Sequence, residues 1–278
     1  TVTGYGGTVQ FTSTDVNSPV LPGNYVFQPV DNGTHTFTNG VTLKTSGNQT
    51  VTATDMANAS IKGTSGSIAV SGAALDHITI SPVSASITAG GSQSYTARAF
   101  DQYGNDLGDV TGSTTFAIAP NGSCPGASCS AIVAGAHTVT GTYSGKTSPS
   151  ATLQVNVGAL DHFAVSTISS PQTALAPFSV TITAKDSFNN TVTAFTGTVN
   201  LSTTAGSTIS PTASGAFTAG VWTGNATISG SGTARTVTAT DPVSTKTGTS
   251  NTFDVSKADQ ATVTVSAPAT LAYGGSGS

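Results

Sequence analysis

Short segments of this chain alternate between apolar and polar side chains. Across residues 178–185, every second position from Phe178 to Ala184 is apolar, and the positions between them are polar. Successive side chains of a strand face opposite sides, so this pattern predicts a half-buried β-strand. The same pattern, or its Val/Ala version between threonines, predicts further strands at residues 51–53, 95–99 and 237–239.

Turn-forming residues separate these runs at short intervals. Asn, Asp and Gly tolerate the positive φ angles of tight turns, and they cluster at residues 31–33, 39–40, 101–105, 121–122 and 186–190. No segment has a sustained helical period. Many short strands in units of about 85 to 100 residues predict an all-β protein of antiparallel, immunoglobulin-like two-sheet sandwiches.

The chain also repeats itself without gaps. Ala74-Leu75-Asp76-His77 returns at residues 159–162, and the residues that follow return at the same spacing: Thr96, Ala99, Asp101 and Asn105 as Thr181, Ala184, Asp186 and Asn190. A spacing held over so many residues means that one structural unit is built at least twice. The sequence therefore predicts a tandem array.

Two further alignments give the expected domain bounds. Residues 191–199 resemble residues 1–9, and residues 236–241 resemble residues 50–55. We expect residues 1–72 to be an incomplete domain that lacks its first strands, 73–157 and 158–256 to be complete domains, and 257–278 to hold the opening strand of a further repeat. The linkers between domains are short, so we expect the domains to follow one another in an extended rod.

Composition narrows the expected location and partners. Charged residues make up only 7% of the chain, against roughly 25% in ordinary soluble proteins, and this polarity without charge suits an extracellular protein. The net charge is −4 and the eight Lys and Arg residues are scattered, so nucleic acid is not an expected partner. No apolar stretch approaches the ~20 residues of a membrane helix, and no membrane span is expected in this window.

Cys124 and Cys129 flank a turn-rich segment and are the only cysteines of the chain. The four residues between them are enough to close a small disulfide ring, which would stiffen one loop and contribute about 2 kcal/mol before strain. The alternative is a pair of free thiols in a reducing compartment. The composition favours the disulfide.

Together these motifs resemble a known group of proteins. The motifs are the Ala-Leu-Asp-His opening, a strand that ends in Asp-x-Tyr/Phe-Gly/Asn-Asn, the Cys loop followed by residues 137–143, and a terminal Ala-Thr-Asp. They resemble bacterial immunoglobulin-like (Big) repeats of large surface proteins, including the invasin and intimin type. The resemblance covers essentially the whole chain, and it implies sandwich domains that serve as spacers, adhesins or filament modules.

Three aspartates of the last complete domain are candidate calcium ligands. In an immunoglobulin-like topology, the start of the first strand and the loops after the second strand and before the last gather at one pole, where Asp161, Asp186 and Asp241 would meet. Oxygen clusters at domain junctions suit calcium. Asp is also an ordinary turn former, and the second repeat has Lys146 near the third position. Both interpretations stay open, and no other cofactor is expected.

No residue pattern predicts an enzyme. The chain has no Gly-x-Ser-x-Gly elbow, no His-Glu-x-x-His and no Glu at all. His77 and His162 occupy equivalent repeat positions, which indicates a structural role at the domain junction, whereas His35 and His137 fall on predicted strands. The large aromatic side chains are expected to complete cores or junctions rather than to stack on sugars; they are Tyr5, Tyr103, Phe195 and Trp222.

The sequence therefore predicts a non-enzymatic extracellular structural protein, a stalk or fibre module of a bacterial surface adhesin or filament. Its expected partners are neighbouring copies or further repeats of the same polypeptide, together with surface glycans or host proteins. One alternative is a self-assembling filament subunit joined by strand donation, with residues 257–278 as donor and the first repeat as acceptor. The other is a carbohydrate- or host-protein-binding module accessory to a secreted enzyme.

Overall fold

The computed structural model describes residues 1–258, so most of the expected opening strand at 257–278 lies outside the described residues. The described chain is all-β, and its helices are two single 3-10 turns, Pro29–Asp31 and Thr111–Ser113. Neither has the length and apolar character that crossing a bilayer requires, and no other helix occurs in this range. The chain divides into two compact units, Thr1–Asn156 and Val157–Ser278. This division lies one residue from the predicted boundary after residue 157, and the boundary after residue 72 stays a prediction.

The first unit begins with a single layer of strands. Its main sheet has the antiparallel order β2-β1-β4-β5, and β3 pairs with β6. The bounds are β1 (Thr8–Ser13), β2 (Tyr25–Val26), β3 (Gly47–Gln49), β4 (Val51–Asp55), β5 (Lys62–Thr64) and β6 (Ile68–Val70). The prediction of a strand at His35 is wrong. That segment pairs with the rest of the repeat through an isolated bridge between Val20 and Thr42, because the neighbouring strand that would extend the pairing is missing from the repeat.

Residues 73–156 form a complete sandwich. One layer has the order β11-β10-β7, the other has the order β12-β14-β16-β8 with β15 on β14, and β9 pairs with β13. The bounds are β7 (Leu75–Ser81), β8 (Ser84–Thr88), β9 (Ser92–Ser94), β10 (Thr96–Asp101), β11 (Asp106–Asp109), β12 (Thr115–Ala119), β13 (Ser128–Ser130), β14 (Gly135–Tyr143), β15 (Lys146–Thr147) and β16 (Ala151–Asn156). Ile80 and Ala97 of the first layer pack against Phe116, Val139 and Leu153 of the second.

The second unit is a sandwich of the same kind. Its sheets have the orders β17-β19-β22-β21, β20-β24-β25 and β18-β26-β23. The bounds are β17 (His162–Val165), β18 (Gln172–Thr173), β19 (Phe178–Lys185), β20 (Asn200–Thr203), β21 (Ile209–Ser210), β22 (Val221–Ile228), β23 (Gly232–Arg235), β24 (Val237–Thr240), β25 (Thr247–Thr249) and β26 (Phe253–Ser256). The strand predicted at residues 178–185 is confirmed residue for residue, with its apolar side chains in the core.

In both complete sandwiches a strand near the start of the domain runs parallel to the last strand. β8 lies beside β16 over residues 84–88 and 152–156. β18 lies beside β26 over two residue pairs, Gln172 with Val255 and Thr173 with Ser256. These two pairs depart from the predicted antiparallel arrangement, because each connects the two faces of its sandwich and joins strands far apart in the sequence.

The buried apolar residues are distributed unevenly. Every hydrophobic side chain that is buried within the described chain lies between Ile78 and Val255. Residues 1–72 contribute none, so their sheet has an apolar face without an opposing layer. The sandwiches of residues 73–156 and 157–258 each have a closed core.

Candidate functional site: the Asp–Asn turns

The turn after β10 is organised around the buried carboxylate of Asp101. Its Oδ1 accepts the backbone N–H groups of Tyr103 and Asn105, both at 2.9 Å. Its Oδ2 accepts the side-chain amide of Asn105 at 2.7 Å and the backbone N–H of Ala73 at 2.8 Å. Asp favours such turns because its side chain bonds backbone donors two residues on. Here the same carboxylate also anchors the start of the domain at Ala73.

The third domain repeats this arrangement atom for atom. Oδ1 of Asp186 accepts the N–H groups of Phe188 at 2.9 Å and Asn190 at 2.8 Å. Its Oδ2 accepts the Asn190 side-chain amide and the N–H of Gly158, both at 2.9 Å. Ala73 and Gly158 occupy equivalent repeat positions. The Asp and Asn residues that recur in the sequence are therefore the parts of one structural motif, which we call the Asp–Asn turn.

Hydrogen bonds keep both carboxylates ionised despite burial. Burial alone would raise the pKa of Asp101, but the bonds from Asn105, Ala73 and Tyr103 outweigh it and lower the pKa to about 2. The pKa of Asp186 is lowered in the same way, against the effect of burial, by Asn190, Gly158 and Phe188. A carboxylate has about four acceptor positions, and each of these accepts four hydrogen bonds.

The Asp–Asn turn of the second domain also contacts the first 72 residues. The Asn105 side chain donates to the carbonyl oxygen of Lys44 at 2.7 Å and accepts the N–H of Ser46 at 2.9 Å. The Asn17 side chain donates to the carbonyl oxygen of Tyr103 at 2.9 Å, and the Lys44 ammonium lies 5.6 Å from the centre of the Tyr103 ring. The turn that closes one domain is thus also the contact with its neighbour.

A second buried aspartate holds the other side of this junction. Asp15 accepts the backbone N–H groups of Lys44, Thr45 and Asn17 and the hydroxyl of Thr45. Burial raises its pKa, but these hydrogen bonds outweigh burial and the pKa is lowered. The backbone that faces Asn105 is therefore fixed from its own side. Sequence reasoning missed Asp15 because it has no counterpart in the aligned repeats.

The three candidate calcium ligands have other partners. Asp186 is saturated by its turn, and Asp241 accepts the N–H groups of Val243 and Ser244 and the Ser244 hydroxyl. Asp161 is exposed and lies 3.4 Å from the ammonium of Lys246. Within residues 1–258, no group of three His, Cys, Asp or Glu side chains is placed to hold a metal ion. The structure favours the turn-forming interpretation, and calcium binding stays a prediction.

The disulfide prediction is confirmed, since Cys124 is bonded to Cys129. Cys129 is fully buried on β13, so the ring is attached to the core of the second domain. His137 lies on β14 as predicted and is buried, with Nε2 at 3.0 Å from the Asn121 side-chain oxygen. His77 and His162 lie beside Asp76 and Asp161, at 3.0 and 3.1 Å.

The large aromatic side chains have partners in cores or at the junction. Trp222 and Phe195 pack against the core of the third domain. Tyr103 lies at the junction with residues 17 and 44. The Tyr5 hydroxyl donates to the carboxylate of Asp55, which raises the pKa of Tyr5. These positions agree with the structural roles expected from the sequence.

Comparison with known proteins gives likeness of structure only. No protein-family model and no curated protein matches the chain. Similar solved structures include the Escherichia coli adhesin FdeC, at 16% identity over 90% of this chain and 85% of that one, with a TM-score of 0.39. Invasin, described as a bacterial integrin-binding protein, has 18% identity over 89% of this chain and 53% of that one, with a TM-score of 0.36.

Domains 1–6 of the surface layer protein SbsC are also similar, at 22% identity over 91% of this chain, with a TM-score of 0.30. This chain spans 35% of that structure. At such identities and TM-scores the likeness carries no argument about activity, location or partners. The immunoglobulin-like assignment rests on the sheet topology and the two sandwich cores.

Proposed function

We propose that the chain is a non-enzymatic, extracellular structural module, a stalk or fibre segment that spaces and carries mechanical force in a bacterial surface adhesin or filament. The observation that supports this most directly is the parallel pairing of β8 with β16. Further repeats of the same polypeptide are its proposed neighbours. Surface glycans or host proteins would be bound elsewhere in the parent protein.

The parallel pair determines how a domain responds to tension along the chain. Force on the start of the domain pulls β8 one way along its axis, and force on the end pulls β16 the opposite way. The hydrogen bonds between them are then strained together in shear, whereas a pair loaded from one end would open one bond at a time. The bonds from Thr152 N to Val83 O at 2.9 Å and from Ala89 N to Asn156 O at 2.8 Å bracket this ladder.

The two complete domains differ in this respect. The ladder of the second domain extends over residues 84–88, whereas β18 and β26 of the third domain pair at only two positions. More hydrogen bonds strained together require a larger force to break. We therefore expect the second domain to unfold at a higher force than the third.

The composition and the junction support the same role. Polar but uncharged surfaces and a disulfide suit a secreted protein. The Asp–Asn turn joins residues 73–156 to the preceding repeat through Asn105, and its sequence recurs at the start of the third domain. A spacer needs such fixed connections more than it needs a binding pocket.

Single-molecule stretching of the full chain tests this proposal. We expect separate unfolding events for the second and third domains, each releasing on the order of 250 Å of chain. Adding a reductant should lengthen only the second domain's event, by about 15 Å, because it opens the loop between Cys124 and Cys129. This lengthening assigns the events. A chain that extends without distinct events would contradict the proposal.

A matched pair of proline variants isolates the ladder. In a parallel pair, the bonding pattern alternates along the strand, so the N–H groups of Ala85 and Ile87 face β16 and that of Ser86 faces away. Ala85→Pro removes a ladder donor and should lower the unfolding force of the second domain. Ser86→Pro places the same ring on the same strand without removing a ladder bond. Equal forces for the two variants would indicate that the ladder does not resist the pull.

A further inference from the structure

An apolar cleft of about 610 Å³ opens in the first 72 residues. The lining includes the inward side chains of β1 and β4 and a group of aromatic rings: Val9, Phe11, Phe27, Phe37 and Ala53. The Phe11 and Phe37 rings contact at 5.0 Å between centroids, and Tyr25 stacks on His35 at 3.9 Å. Clefts of this size and apolar character are typical of binding sites.

The third domain shows what covers the same face there. By the alignments of residues 1–9 with 191–199 and 50–55 with 236–241, Val9 corresponds to Val199 and Ala53 to Ala239. Val199 and Ala239 are fully buried in a cluster with Val180 and Ile182 of β19. Val9 and Ala53 are only half-buried. The first repeat thus has one layer of the sandwich and lacks the strands that correspond to β17 and β19.

The edge of the cleft also has an incomplete pairing. In the third domain β22 lies between β19 and β21, and Thr227 pairs with Ser210. In the first repeat the bridge between Thr42 and Val20 matches that pair, so residues 36–42 correspond to β22. Their contact on the β21 side is present. Residues 36–41 belong to no strand in the described chain, because the counterpart of β19 is missing.

We propose that this cleft seats a two-stranded segment of the type formed by residues 159–190, joined in line ahead of Thr1. The second of the two strands would pair with residues 36–42, as β19 pairs with β22. Its inward residues, like Phe178, Val180 and Ile182, would fill the cleft. The path is continuous, because residue 190 is followed in the third domain by residues 191–199, which match residues 1–9. The inference does not depend on the mechanical role proposed above.

A fusion tests the inference directly. A copy of residues 159–190 is placed immediately ahead of Thr1 of the full chain, and the fused and unfused proteins are compared. We expect binding of the dye ANS to fall by about fivefold, because the dye reports exposed apolar surface. Hydrogen exchange of the amides at residues 36–42 should slow by about tenfold as they enter a sheet.

A matched control carries Val180→Asp and Ile182→Asp in the added copy alone. These charges cannot enter an apolar cleft, so dye binding and exchange should equal those of the unfused chain. Emission of Trp222, the chain's single tryptophan, verifies that the third domain is folded in every variant. Equal protection by fusion and control would overturn the inference, as would unchanged dye binding in the fusion.

The unfused chain tests the rival occupant. If a second copy fills the cleft, dye binding should fall as protein concentration rises, in step with dimer formation in sedimentation. That result would overturn the in-line proposal in favour of strand donation between copies. A monomer with constant dye binding per chain supports it.

Discussion

The side-chain amide of Asn105 donates to the buried carboxylate of Asp101 at 2.7 Å. The same side chain contacts the backbone of residues 44 and 46. One residue therefore both closes the turn of its own domain and fixes the preceding repeat. The geometry of this junction follows from the internal structure of the second domain, so a stiff connection needs no separate interface.

Removing this side chain should loosen the junction without unfolding either neighbour. In Asn105→Ala, the Ser46 N–H loses its acceptor, and we expect its hydrogen exchange to accelerate about tenfold. Asn190→Ala makes the equivalent change in the third domain and should leave Ser46 exchange unchanged. If both variants affect Ser46 equally, the contact does not hold the junction.

Acid should destabilise the chain through its buried aspartates. The pKa of Asp101 is lowered to about 2 and that of Asp186 is also lowered, whereas an unfolded Asp titrates near pH 3.9. These groups therefore add stability above that pH, and the stability is lost as the pH falls toward their folded values. We expect Tm to fall between about pH 4.5 and pH 2, and Asp101→Asn to lose less of it in that interval. Thermal unfolding from pH 7 to pH 2 measures this; a Tm that rises on acidification would contradict it.

The sequence was most informative where the pattern was local. Alternation over residues 178–185 was enough to predict β19, because burial of every second side chain is a property of the strand itself. The repeated Asp and Asn identified the Asp–Asn turns as important but left two interpretations open. The deciding partners, the N–H groups of Ala73 and Gly158, belong to the backbone and have no signature in side-chain identity.

Features that join distant segments were harder to predict. The strand expected at His35 is absent because its formation depends on a neighbouring strand, which the local pattern cannot reveal. The parallel pairing of β8 with β16 joins residues near opposite ends of a domain. Asp15 occurs once and acts through the backbone of residues 44 and 45, so neither the repeats nor the spacing marks it.

The core of the second domain contains a polar atom that can be removed. Tyr95 is 1% exposed, and its hydroxyl has no hydrogen-bond partner among the described residues. An unsatisfied buried hydroxyl costs about 1 to 3 kcal/mol. We expect Tyr95→Phe to raise the free energy of unfolding by about 1 kcal/mol in urea denaturation. Tyr143→Phe, on a half-buried side chain of the same domain, should have little effect. A destabilised Tyr95→Phe variant would show that the hydroxyl has a partner.

Reduction of the disulfide should have a small and local effect. The ring between Cys124 and Cys129 is short, so opening it restores little entropy to the unfolded chain, about 2 kcal/mol or less. We expect a reductant to lower the Tm of the second domain by a few degrees and to leave the third domain, followed by Trp222 emission, unchanged. Loss of both transitions on reduction would contradict this.

The central claim is that the sandwich domains follow one another end to end as a spacer. Small-angle X-ray scattering of the full chain in solution tests it most directly, because radius of gyration distinguishes a rod from a compact fold. Three domains of roughly 35 to 45 Å each, laid end to end, predict a radius of gyration of about 35 Å. A value near 19 Å, as expected for a compact globule of the same length, would contradict the account.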